Sequence, residues 1–338
     1  MKLSQLKPAL DIFFSLPRQR VPLIQSSPGV GKSSTVEQIA NERAMRLITW
    51  RLGQMDASEV GGMPEVNNHR MSYALPDTLP GENDAPTIVF LDEIADAERM
   101  VYNAAAEFIL DGTLRGAHTF KLAPQHRIVA ASNRLSDRAG ARDLPSHIRN
   151  RVVFMDVETD MEEWVANFAI PFGVREEVIA FIKHRPHLLD QFNPKERSFP
   201  TPRSWEAVSD MLPGLLKLPQ EHLGLQFEMV SGAVGEGAAT EFTGFLRLIS
   251  RMPDIDEVLK NPEKAPVPTD EVAIMYALCT ALSMRVTNAT RENFFTYMGR
   301  IPQDFAVMAV KDAQRKNVSI MQCRNGIKWA TVNAPMMV

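Results

Sequence analysis

Gln25-Ser26-Ser27-Pro28-Gly29-Val30-Gly31-Lys32-Ser33-Ser34 is the stretch on which the reading of this chain turns. A short apolar run, Val21-Pro22-Leu23-Ile24, precedes it and reads as a buried strand. Thr35 to Ala44 follows, with Val36, Ile39 and Ala40 at helical spacing. Strand, glycine-rich turn, Lys-Ser and helix, in that order, make a P-loop. Such a turn suits a polyphosphate, because its glycines let backbone N–H groups approach anionic oxygens and the helix N-terminus adds positive potential. Lys32 is expected to reach the β- and γ-phosphates, and the Ser33 hydroxyl to ligate Mg²⁺. The nucleotide-binding set is then Ser27, Pro28, Gly29, Val30, Gly31, Lys32, Ser33 and Ser34. One position departs from the pattern: Ser26 stands where glycine is usual. That residue opens the loop rather than cradling phosphate, so serine is expected to be tolerated. A dinucleotide fingerprint fits less well, because no third glycine follows Gly31. An ordinary glycine-rich turn remains open at this point.

The downstream chain decides between them. Leu47 to Leu52 reads as a second strand, and a polar stretch with Gly61, Gly62 and Pro64 runs on to about Pro86, too long for a tight connection. Thr87-Ile88-Val89-Phe90-Leu91 then suits a central parallel strand and ends in Asp92-Glu93. Ligands bind at the C-terminal edge of open α/β sheets, so Asp92 is expected beside the P-loop as a Mg²⁺ ligand, with Glu93 polarising the attacking water. Arg99 to Leu110 is expected to be helical, and Asp111 to Leu122 a hairpin. Arg127 to Asn133 is another apolar strand. Asn133 is expected to orient a water if that strand pairs in parallel with the strand of Asp92. Leu144 to Arg151, with Gly140 in the loop before it, leads into a fifth strand at Val152 to Val157.

From Glu158 onward helices dominate, and Pro253, Pro262, Pro266 and Pro268 mark a linker. The 338 residues suffice for two or three compact units. A formal net charge of −4 argues against a chain that coats nucleic acid through bulk charge. Cys279 and Cys323 stand far apart, so neither a disulfide framework nor a cysteine-rich zinc site is implied. His184 and His187 flank a proline and read as surface or packing residues. Asp11 separates Leu10 from the apolar residues Ile12-Phe13-Phe14, and no small-residue cleavage site follows. The run from Val272 to Met284 is too short to span a bilayer. A cytoplasmic location with no membrane association is expected.

Together the PGVGKS loop, the Asp56–Pro64 stretch, IVFLDE, DGTLRG, VAASN, LPSHIRNR and TPRSW resemble an AAA+ ATPase of the MoxR-like group. The resemblance covers residues 1 to about 210. It implies an α/β core with a parallel five-stranded sheet over 1–157 and an α-helical lid over 158–252; the mostly helical extension over 253–338, which begins at the proline-marked linker, lies outside the shared core. It also implies a helix-2 insert at about 61–82 and a pre-sensor-1 hairpin at DGTLRG. By similarity Asn133 is sensor 1, Arg203 is sensor 2 acting in cis, and Arg151 is an arginine finger acting in trans, with Arg149 the second candidate. ATP and Mg²⁺ follow as ligands. A hexameric ring acting as a chaperone on a protein client, with a von Willebrand factor A-type partner, is the activity implied. Three competing readings stand beside it: a nucleic-acid-directed or restriction-type NTPase, a nucleotide-gated scaffold with little turnover, and a monomeric P-loop kinase.

Overall fold

The computed structural model describes residues 1–67, 69–115, 119–134 and 143–337. The loop around Gly140 and residues 116–118, in the middle of the expected Asp111–Leu122 hairpin, lie outside these residues. The chain divides into two compact units, Met1–Thr159 and Asp160–Val338.

In the first unit, α1 (Leu6–Ser15) buries Leu6 and Leu10 and leads to β1 (Val21–Ser26). After the glycine-rich turn, α2 (Lys32–Glu42) buries Val36, Ile39 and Ala40, the residues whose spacing marked it as a helix. β2 (Arg46–Arg51) follows, then α3 (Ala57–Gly61), where the Asp56 N–H donates to Glu59 Oε2 at 2.7 Å. The long polar stretch is ordered by an antiparallel hairpin, β3 (Met63–Asn67) and β4 (Arg70–Ala74). Next come β5 (Thr87–Asp92), α4 (Arg99–Asp111) and a small hairpin of β6 (Thr113–Leu114) and β7 (Phe120–Lys121). β8 (Arg127–Asn133), α5 (Ser146–Arg149) and β9 (Val152–Asp156) complete the unit.

The main sheet has the order β2-β5-β8-β1-β9, all parallel. Alternate residues of its strands feed two cores, because successive side chains leave a strand on opposite faces. Val89, Leu91, Ile128 and Ala130 pack with α3 and α4, where Val60, Val101 and Phe108 are buried. Ile88, Phe90, Val129 and Ala131 pack with α1 and α2. The result is a parallel five-stranded α/β core between helical layers, with the glycine-rich turn at the end of β1, where strands of later sequence flank it on both sides.

The second unit is helical throughout. α6 (Met161–Trp164) continues into a π-helical turn, Val165–Ala169, and is followed by α7 (Glu176–His184), α8 (Pro202–Leu215), α9 (Leu223–Val234) and α10 (Glu236–Ile249). Their core holds Phe181, Trp205 and Phe242. His184 packs against the rings of Phe245 and Tyr276. The proline-marked stretch is more than a linker: it contains α11 (Ile255–Lys260), whose Asp254 side chain accepts the Glu257 N–H at 2.9 Å and whose Ile255, Val258 and Leu259 are buried. α12 (Val272–Arg285), α13 (Arg291–Met298), α14 (Gln303–Lys316) and α15 (Arg324–Met337) follow. α12 serves two cores. Ala277 belongs to the core of α7–α10, while Met275, Leu278, Cys279 and Leu282 belong to the core of α11–α15. Among the described residues, no helix is long and apolar enough to cross a membrane.

Candidate functional site

Parallel register brings four strand ends to one edge. Ser26 at the end of β1 pairs with Asn133 at the end of β8, Leu91 pairs with Ala130, and Arg51 pairs with Asp92. β5 and β8 do pair in parallel, the condition on which a role for Asn133 was expected.

The turn after β1 needs its glycines. Gly29 and Gly31 have φ of +78° and +102°, the left-handed region that a side chain disfavours, and open space surrounds the position where a Gly31 Cβ would stand. Gly31 precedes α2, and its carbonyl accepts the Thr35 N–H and the Thr35 hydroxyl, both at 2.9 Å. The turn and the first residues of an eleven-residue helix thus meet the requirements for an anion site.

Lys32 is buried at the base of the turn. Its Nζ donates to the Ser26 carbonyl (3.2 Å), Ser26 Oγ (3.0 Å), the Ser27 carbonyl (3.2 Å) and Asn133 Oδ1 (3.1 Å). Ser26 is fully buried, lies in the extended strand, and donates its own hydroxyl to the Ser27 carbonyl at 2.9 Å. The expectation that serine is tolerated understates its role here: the hydroxyl holds the lysine. No sequence signal marked this, because the consensus glycine has no side chain from which to reason.

The Ser33 hydroxyl donates to Asp92 Oδ2 at 2.7 Å, so the two expected Mg²⁺ ligands are already adjacent. Asp92 Oδ1 accepts the Glu93 N–H at 2.9 Å. Glu93 has φ of +55°, a left-handed conformation that costs roughly 1–3 kcal/mol in a residue with a side chain. Such strain persists only where the surroundings impose it. Gln25 Nε2 donates to Ser132 Oγ at 3.0 Å and ties β1 to β8 just behind the edge.

Val30 is buried under the turn, and Ser27 and Pro28 are half-buried in it. Ser34 is exposed on α2 and makes no side-chain hydrogen bond among the described residues. Arg149 ends α5 and Arg151 directly precedes β9. Both are exposed, with no ion pair among the described residues. Arg203 lies in the first turn of α8, in the second unit, also exposed and unpaired among the described residues.

This donor set fits a nucleoside triphosphate with Mg²⁺: backbone amides and an ammonium for phosphate oxygens, a hydroxyl and a carboxylate for the metal, and a second carboxylate beside them. Residues 22–155 match the family described as "ATPase family associated with various cellular activities (AAA)". The match runs from β1 to β9 and leaves Arg203 outside. Similar solved structures include NtrX from Brucella abortus in complex with ADP. That chain is 15% identical, with 98% of this chain and 67% of that chain covered at a TM-score of 0.43. The same protein in complex with ATP is 14% identical over the same shares, at a TM-score of 0.42. No curated protein sequence matches the chain.

Proposed function

Because this chain carries an AAA-type ATPase domain, we propose that it hydrolyses ATP with Mg²⁺ and uses that reaction as a MoxR-like, ring-forming chaperone. The observation that carries the reading is the convergence of Lys32, Ser33, Asp92, Glu93 and Asn133 at one sheet edge. The turn's amides and Lys32 bind the phosphate oxygens, and Ser33 and Asp92 hold the metal. Mg²⁺, when bound, neutralises charge developing on the transferred phosphoryl group. Glu93 takes a proton from the attacking water, and Asn133 helps to orient that water.

The wider assembly rests on the resemblance. Arg151 is assigned to a neighbouring subunit's nucleotide in a hexameric ring, with Arg149 as the alternative, and Arg203 to the nucleotide of its own chain. Among the described residues these arginines are exposed and make no ion pair, which supports that use, since a surface arginine engaged in an ion pair would first have to leave it. Residues 158–252 act as the lid and 253–338 as an extension. The client is a protein matured or remodelled in the cytoplasm, with a von Willebrand factor A-type protein as partner. One face of the β3–β4 hairpin supports client contact. Pro64, Val66, Met71 and Tyr73 share it, and Val66 and Met71 are 76% and 65% exposed.

Phosphate release with and without Mg²⁺ tests the reaction. Lys32→Ala should lose nucleotide binding, whereas Glu93→Gln should bind nucleotide and fail to hydrolyse it. A Glu93→Gln protein as fast as the parent would remove the assignment.

A further inference from the structure

The catalytic carboxylate is packed against a position with no side chain. β2 ends at Arg51, level with Asp92, and the chain then passes through a short 3₁₀ turn, Leu52–Gln54, alongside the 3₁₀ turn Ile94–Asp96 that follows Glu93. A Cβ on Gly53 would stand 3.3 Å from Glu93 Oε2, 3.6 Å from Glu93 Cβ and 3.2 Å from Asp96 Cβ. Gly53 does not have the left-handed φ of Gly29 and Gly31, so its own backbone does not require glycine. The residue is also exposed, which leaves no core packing to explain it. What the bare Cα does is leave room for the Glu93 side chain and for Asp96 Cβ, which reach this turn from the residues after β5.

We propose that Gly53 is a positioning residue for Glu93, keeping clear the space in which the carboxylate is held over the turn after β2. The proposal rests on the reading of Glu93 as the group that polarises the attacking water. A methyl group at Gly53 would displace the carboxylate by a few tenths of an ångström. A misplacement of about 1 Å at a reacting centre can cost about 10²-fold in rate. A smaller displacement is therefore expected to cost about tenfold or less.

Gly53→Ala should lower kcat for ATP hydrolysis by about 3- to 10-fold, with nucleotide affinity within about twofold of the parent and an unchanged Tm. Gly53→Val should lower kcat further at the same affinity. Gln54→Ala, an exposed change in the same turn, should leave the rate at the parent value. Glu93→Asp withdraws the carboxylate by one methylene. Adding Gly53→Ala to it should therefore cause no further loss. The proposal is overturned if Gly53→Ala keeps the parent kcat, if its rate falls only in step with affinity or Tm, or if the loss is as large in the Glu93→Asp background. Glu93→Gln, run alongside, separates the two levels. Full activity there removes the ATPase reading, whereas an inactive Glu93→Gln beside a fully active Gly53→Ala removes only the role of Gly53.

Discussion

Asp312→Leu is expected to be among the most costly single substitutions in the helical unit. Lys183 of α7 and Asp312 of α14 form an ion pair whose side chains are 4% and 2% exposed. Among the described residues Lys183 Nζ has no other partner, whereas Asp312 Oδ1 also accepts Arg315 Nη1 at 3.1 Å. The two partners are therefore unequal. Removing Asp312 leaves a buried ammonium without a counter-charge, which costs about 3–5 kcal/mol. Lys183→Met leaves Asp312 still bonded to the half-buried Arg315, and the loss is limited to about 1.5–3 kcal/mol, that of a hydrogen bond to a charged group. The double variant Lys183→Met/Asp312→Leu buries no charge and should recover most of the stability. Urea unfolding followed by tryptophan fluorescence measures all three, provided the slope m is unchanged. An Asp312→Leu cost below about 1 kcal/mol would refute the reasoning, as would a double variant no more stable than Asp312→Leu alone.

Arg151→Ala should bind ATP normally yet hydrolyse it slowly, since fingers supplied by a neighbour contribute about 10³–10⁵ in well-studied GTPases. Mixing it with Lys32→Ala should restore part of the activity, and no rescue despite proven subunit exchange would exclude action in trans. Val66→Ser/Met71→Ser should keep basal ATP hydrolysis within about twofold and abolish the client-dependent activity, because it alters only the exposed face of the hairpin; client-dependent activity that survives would reduce the hairpin to decoration. Burial pushes the Cys279 thiol and the Tyr297 hydroxyl each up to about 12. Their stabilising contribution is complete below the unfolded values of about 8.5 and 10, and is lost as pH rises toward 12. Tm should fall steadily above about pH 9, and a flat profile would contradict that linkage.

Much of the nucleotide edge was legible in the chain because its residues are neighbours in sequence. The glycine-rich turn, the apolar run Ile88–Leu91 and the Asp92-Glu93 pair each carry their own signal. Register is different. That Asn133 meets Ser26, and that both hold Lys32, depends on strand pairing across more than a hundred residues, which no local pattern encodes. The approach of Glu93 to the space beside Gly53 is equally non-local. α11 was hidden for another reason: prolines surround it, while its start is marked by Asp254, a side-chain cap, and its end falls before Pro262. The insert after α3 carries alternating residues, yet its short strands and proline obscured the hairpin.

The position of α12 between two cores bears on how the chain is made. Ala277 and its neighbours Ala273 and Met284 complete the packing of α7–α10, although they follow Ile249 in sequence. A ribosome releases residues in order, so helices α7–α10 emerge with that part of their core unfilled. Covering it requires synthesis to reach Arg285, some 36 residues after Ile249, or roughly 2–7 s at about 5–20 residues per second. Asp312, the counter-charge for Lys183, arrives later still. During that interval an apolar face and an unpaired lysine are exposed to whatever else binds nascent chains. The first unit carries no such debt, since its sheet and both its cores are complete by Val157.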